Sequence, residues 1–116
     1  MVALGDKTAG IFTNNDAFAD KIINSSKEVH ESTWKLPIFD FHWESIKPES
    51  ANISNTGKDR YGGASTAAAF LECFIDKNRE WVHMDIAGPA MAKAASPPLP
   101  AGGTGFGVPT LLNLLR

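Results

Sequence analysis

Short β-prone runs alternate along the chain with segments of helical periodicity. Gly10-Ile11-Phe12-Thr13 predicts a strand. Asn14-Asn15-Asp16 then supplies a turn and a helix N-cap signal. Over residues 16–29, Phe18, Ala19, Ile22, Ile23 and Val29 fall on one helical face, with Asp20, Lys21, Lys27 and Glu28 mostly opposite. Residues 34–39 read as extended, because Pro37 biases Leu36 away from helix. Residues 40–47 predict a short amphipathic helix ending before Pro48, residues 51–55 a weak strand, and residues 56–63 a polar, glycine-containing loop. The strongest helix is expected over residues 63–75, with Ala64, Ala67, Ala68, Leu71, Phe74 and Ile75 forming one stripe and few polar groups elsewhere, the pattern of a helix buried on most sides. Residues 81–87 alternate as a strand, Val82, Met84 and Ile86 on one face and His83 and Asp85 on the other. Residues 92–105 carry three prolines and three glycines and read as a surface loop. Val108, Leu111, Leu112 and Leu115 then predict a closing amphipathic helix with Pro109 in its first turn. This alternation predicts an α/β fold with a substantially parallel sheet.

Length and composition narrow the class. At 116 residues the chain is one domain, and 43% apolar with 21% charged residues excludes general disorder. A net charge of −2 without any Lys/Arg cluster argues against a nucleic-acid partner. No apolar run reaches the roughly 18 residues of a membrane span, and Met1-Val2-Ala3-Leu4-Gly5 does not open a secretory signal. The single cysteine, Cys73, excludes an intramolecular disulfide, is expected to be a buried structural thiol, and favours a reducing compartment, the cytoplasm.

Candidate chemistry is sparse. Residues 57–66 resemble a phosphate-binding loop, but Gly63-Ala64-Ser65 stands where Gly-Lys-Ser/Thr is required. What remains is a glycine-rich helix start at Gly62 and Gly63 with Lys58 and Arg60 nearby, which could bind an anion or simply let the backbone pass close to another element. Gly103-Thr104-Gly105-Phe106-Gly107 resembles a dinucleotide fingerprint with its third glycine one place early and no room for a following βαβ unit. His83 and Asp85 share a strand face and could be two metal ligands, but no third presents itself. Ser65 and Thr66 follow a Gly-Gly without the spacing of a nucleophile elbow.

Six segments in order carry a resemblance. They are Val2-Ala3-Leu4-Gly5 with Ala9 to Asn15; Trp34-Lys35-Leu36-Pro37; Asn55-Thr56-Gly57; Gly62-Gly63-Ala64-Ser65-Thr66-Ala67-Ala68-Ala69-Phe70-Leu71; Trp81-Val82-His83-Met84-Asp85-Ile86-Ala87-Gly88-Pro89; and Thr104-Gly105-Phe106-Gly107-Val108. Together they resemble the C-terminal part of the leucyl (cytosol) aminopeptidase family, especially its plant-like members. Asn52 in place of the usual aspartate, the longer loop through Lys58-Asp59-Arg60-Tyr61 and the long stretch 92–103 depart from that subgroup.

The resemblance implies part of an α/β/α sandwich with a mostly parallel central sheet flanked by helices, residues 1–116 being the C-terminal part of a larger catalytic domain. It implies a hexameric exopeptidase that removes N-terminal residues, often leucine, from peptides, using two divalent ions, Zn or Mn, to polarise the scissile carbonyl and activate a bridging water. The family's metal-binding and catalytic residues, including an Asn-Thr-Asp-Ala-Glu-Gly-Arg run, lie upstream and are absent from this sequence. The 116 residues are therefore expected to hold no catalytic residue and no metal ligand, and to be inactive alone. The positions carried over are substrate-binding: Thr56 facing the second residue of the peptide, Ala87 and Ala90 lining the pocket for the N-terminal side chain. Ala90 is small, which implies a roomier pocket. The alternatives are a non-catalytic interaction module, or truncated paralogue, that pairs with full-length subunits through an uncovered sheet edge, and an anion-binding domain built on Gly62, Gly63, Lys58 and Arg60.

Overall fold

A computed structural model describes residues 1–47 and 61–116. The strand expected over 51–55, Lys58, Arg60 and most of the loop preceding Gly63 lie outside the described residues. The elements are β1 (Thr8–Thr13), α1 (Asp16–Glu28), β2 (Ser32–Lys35), α2 (Asp40–Ser45), α3 (Gly63–Glu72), β3 (Val82–Asp85), β4 (Met91–Ala92), β5 (Gly102–Gly103) and α4 (Val108–Leu114).

Among the described residues β1 is the middle strand of a three-stranded sheet ordered β2-β1-β3. α1 carries the chain back so that β2 runs parallel to β1, with Thr8 opposite Ser32 and Ile11 opposite Lys35. β3 lies on the other side and runs antiparallel, with Gly10 opposite Asp85 and Thr13 opposite Val82. Its direction is set where β1 ends. The Asn14 amide group donates to the Arg79 carbonyl at 2.8 Å and its oxygen accepts from the Trp81 amide at 2.8 Å, while the Thr13 hydroxyl donates to the Trp81 carbonyl at 2.8 Å. The entering chain is thus fastened beside the exit of β1 and must run back along it. The sheet is α/β and contains the expected parallel pair, with an antiparallel strand added at one edge.

Helices cover both faces. Ile11 packs with Ala19 and Ile22 of α1, joined by Phe18, Ile23, Val82, Met84 and Leu114 of α4. Gly10 and Phe12 point the other way, toward Leu36, Leu4 and His83 and the layer of α3, against which α2 packs. The alternation expected of β3 therefore holds: Val82 and Met84 join the α1 side and His83 meets Phe12 on the other.

Two expected apolar faces point outward. Thr110 is buried and Leu114 enters the core, whereas Val108, Leu111, Leu112 and Leu115 are exposed, Leu112 by 64%. The reason is that α1 meets α4 with polar groups. The Ser25 hydroxyl donates to the Thr110 carbonyl at 2.7 Å, and the Asn113 amide donates to Ser25 Oγ at 3.1 Å and Glu28 Oε2 at 2.7 Å. In α3 the buried residues are Ser65, Thr66, Ala68 and Ala69, while Ala67 and Leu71, and Phe74 just beyond the helix, are exposed. Ser65 faces inward because its hydroxyl donates to the Pro37 carbonyl at 2.8 Å. Cys73 is exposed rather than buried, since it sits at the C-cap of α3 beyond the buried face.

α1 closes with paired bonds from the His30 amide to the Lys27 carbonyl and from the Glu31 amide to the Ser26 carbonyl, which place His30 in the left-handed region at φ +61°. Glycine takes that conformation without Cβ crowding. His30→Gly is expected to stabilise the fold by about 1 kcal/mol, read as a higher thermal unfolding midpoint by circular dichroism.

Candidate functional site

The turn that follows β3 holds the two expected pocket positions. Ala87 is exposed, Gly88 and Pro89 are buried and Ala90 is half-buried. The Asp85 carboxylate accepts from the Ala87 amide at 3.0 Å, and the Ala90 amide donates to the Ile86 carbonyl at 3.0 Å, so the turn closes on itself. Gly88 presses on the segment that precedes β1. A Cβ there would lie 2.5 Å from the Gly5 carbonyl oxygen and 3.3 Å from the Asp6 Cα, both backbone atoms. Only glycine allows that approach. Beyond Ala90 the chain pairs β4 with β5, Met91 opposite Gly103, so the ends of the expected surface loop are zipped into a hairpin.

A cavity of about 420 Å³ opens beside this turn, lined by residues 1–4, Thr8, Gly10, Leu36, residues 61–65 and Asp85. The start of α3 forms one wall, with Gly62 left-handed at φ +64°. The structure thus brings Asp85 and the glycine-rich start of α3 to one cavity. Ala87 and Ala90 are not among its lining residues, and Thr56 lies outside the described residues.

The second glycine-rich segment already faces an anion of the protein's own. Glu31 Oε2 accepts from the Gly107 amide at 2.8 Å, and Oε1 accepts from the Thr110 amide at 3.0 Å and from the Thr110 hydroxyl. Pro109 has no amide hydrogen, and the Val108 amide donates to Gly105. The first-turn donors of α4 are therefore all engaged, and the dinucleotide resemblance of residues 103–107 is void: the carboxylate sits where a pyrophosphate would. Sequence reasoning missed Glu31; the available signal is its place directly after the helix-ending His30.

His83 stacks on Trp81 with ring centroids 6.3 Å apart and lies 5.9 Å from Phe12. Asp85 is committed to the Ala87 amide. Among the described residues no three His, Cys, Asp or Glu side chains come together as a metal site. The described side chains do not fit a two-metal centre.

The profile of the cytosol aminopeptidase family catalytic domain matches residues 1–112. The chain belongs to this family. It is 47% identical over 117 residues to the probable cytosol aminopeptidase of Chlorobium luteolum, covering all of this chain and 22% of that protein. The corresponding protein of Aquifex aeolicus is 49% identical over 116 residues, covering 99% of this chain and 23% of that one. Among solved structures, a mutant of tomato leucine aminopeptidase superposes with a TM-score of 0.87 at 39% identity, covering 99% of this chain and 22% of the other. The bottromycin maturation enzyme BotP in complex with Mn gives 0.91 at 35% identity, covering 99% of this chain and 25% of the other. This family member thus spans less than a quarter of the length of the curated relatives described.

Three outcomes follow from this geometry. Gly88→Ala is expected to cost about 1–3 kcal/mol, because both colliding atoms are backbone, measured by urea denaturation. Glu31→Gln removes the charge and turns one acceptor into a donor facing α4, at a cost of about 1–2 kcal/mol in the same assay. Burial holds the His83 imidazole below its ordinary value of 6.5, against the opposing pull of Asp85. The unfolded chain then takes up that proton first as pH falls, so stability is full above about 6.5 and is lost below it. His83→Gln is expected to flatten the fall in unfolding midpoint between about pH 7.5 and about pH 5.5.

Proposed function

We propose that residues 1–116 are the C-terminal part of the catalytic domain of a metal-dependent leucyl aminopeptidase, an enzyme that removes N-terminal residues, preferably leucine, from peptides. The observation that carries this reading is the family match over residues 1–112 together with the small share of the relatives that the chain spans. The metal ions, Zn or Mn, are assigned to residues outside this segment. The BotP relative in complex with Mn supports the metal dependence, and the tomato leucine aminopeptidase supports the substrate class.

In this reading the segment supplies pocket walls and subunit contacts. Ala87 and Ala90 line the pocket for the N-terminal side chain of the peptide, and Thr56 faces its second residue. The outward apolar faces, Leu71 and Phe74 at the end of one helix and Leu111, Leu112 and Leu115 along another, are surfaces to be covered by the rest of the domain or by neighbouring subunits of a hexamer. The name "cytosol aminopeptidase" borne by the relatives supports a cytoplasmic site of action.

A second reading has one observation in its favour. Among the described residues β2 is an edge strand, with Trp34 66% exposed, and a truncated paralogue could pair through such an edge with full-length subunits. Co-purification of the chain with a full-length aminopeptidase, without restoring or adding activity, supports that reading.

The purified 116 residues, supplied with Mn or Zn, are expected to give no sustained hydrolysis of leucyl amides. The same residues placed in the matching segment of the Aquifex aeolicus relative are expected to give an active enzyme. Sustained turnover by the chain alone overturns the proposal, as does an inactive but folded chimera. In the active chimera Ala90→Met is expected to lower turnover of phenylalanyl relative to leucyl substrates.

A further inference from the structure

We infer that Thr104 is a positioning residue for the turn that carries Ala87 and Ala90, and so sets the selectivity of the pocket for the N-terminal side chain of the peptide. The inference rests on the reading of that turn as a pocket wall.

The turn is held from two sides. On one side Gly88 lies against the Gly5 backbone. On the other stands Thr104. Its amide donates to the Ala90 carbonyl at 2.9 Å, and its hydroxyl donates to the Pro89 carbonyl at 2.6 Å while accepting from the Phe106 amide at 3.2 Å. A hydroxyl can donate and accept at once, and the isosteric methyl of valine can do neither. Thr104 is itself anchored, because three residues on the Gly107 amide is held by the Glu31 carboxylate at 2.8 Å. A line of bonds thus runs from the end of α1, through the start of α4, to the carbonyls of Pro89 and Ala90, which flank the Ala90 Cα.

Alanine side chains make the placement matter. With only a methyl at positions 87 and 90, the depth of the wall is set by where the backbone stands rather than by side-chain bulk. Thr104 fixes the backbone at the Ala90 end, and Gly5 fixes it at Gly88.

The test uses the chimera that carries residues 1–116 in the Aquifex aeolicus relative, with leucyl, methionyl and phenylalanyl amides as substrates. Thr104→Val is expected to change the ratio of KM values between phenylalanyl and leucyl substrates about fivefold, with kcat for the leucyl substrate held within about twofold. Thr104→Ser retains the hydroxyl and is expected to restore the parental ratio. Ala90→Met serves as the control on the pocket reading. If Ala90→Met moves the ratio and Thr104→Val does not, the inference falls and the pocket reading stands. If neither moves it, both fall. Failure of Thr104→Ser to restore the ratio, or equal loss on every substrate, shows a merely structural role and overturns the inference. Should Thr104→Val not accumulate as folded enzyme, Thr104→Ala against Thr104→Ser carries the same comparison.

Discussion

β1 is enclosed on four sides, and the rest of the chain is arranged to satisfy that enclosure. It has a strand on each edge and a helical layer on each face, so Ala9, Gly10, Ile11 and Phe12 are all buried. Such a strand can carry only apolar side chains or none. Ile11 fills the space under α1, Phe12 the opposite space, and at Gly10 an added Cβ would stand 3.2 Å from Leu36 Cδ1. Because β3 is bonded to β1 in reverse, the residues after β3 emerge beside those that precede β1. That is why Gly88 meets Gly5, and why Asp85 at the end of β3 lines the same cavity as residues 1–4.

The layer of α1 and α4 is joined by a different kind of contact. Ser25, Glu28 and Glu31 meet Thr110 and Asn113 through directed hydrogen bonds, and among the described residues no buried side-chain polar atom is left without a partner. Polar contacts of this kind add modest net stability but penalise misalignment, because each displaced group would be desolvated without a partner. They fix the rotation of α4 about its axis. Leu114 is thereby turned into the core and its leucine neighbours outward.

The elements were legible where local pattern and burial agree. In α1, Ala19 and Ile22 lie on the apolar face and Asn15 caps the start through its bond from the Phe18 amide, as the periodicity and the Asn-Asn-Asp turn indicate. β2 begins earlier than the Trp34-Lys35 run suggests, because pairing with β1 rather than propensity defines its first residue. The outward stripes of α3 and α4 misled for one reason: periodicity marks the apolar face of a helix but not which neighbour covers it. Cys73 belongs to the same error, being apolar in context yet placed at a helix end. At the site, Ala87 and Ala90 were reached through resemblance, and the structure places both on one turn. The distant partners of Glu31 and Thr104 were not legible, because bonds spanning 76 and 15 residues leave no local pattern that names the acceptor or donor.

The contact between Gly88 and Gly5 bears on how this turn can diverge. Two of its four positions are closed to variation: Gly88 faces immovable backbone, and Pro89 is buried with its carbonyl engaged. Change is left to positions 87 and 90, which can be enlarged or reduced while the chain trace stays where it is. With the turn read as the proposed pocket wall, that wall could thus be altered one side chain at a time without refolding, and the variants within reach form a graded series of volumes rather than a set of new shapes.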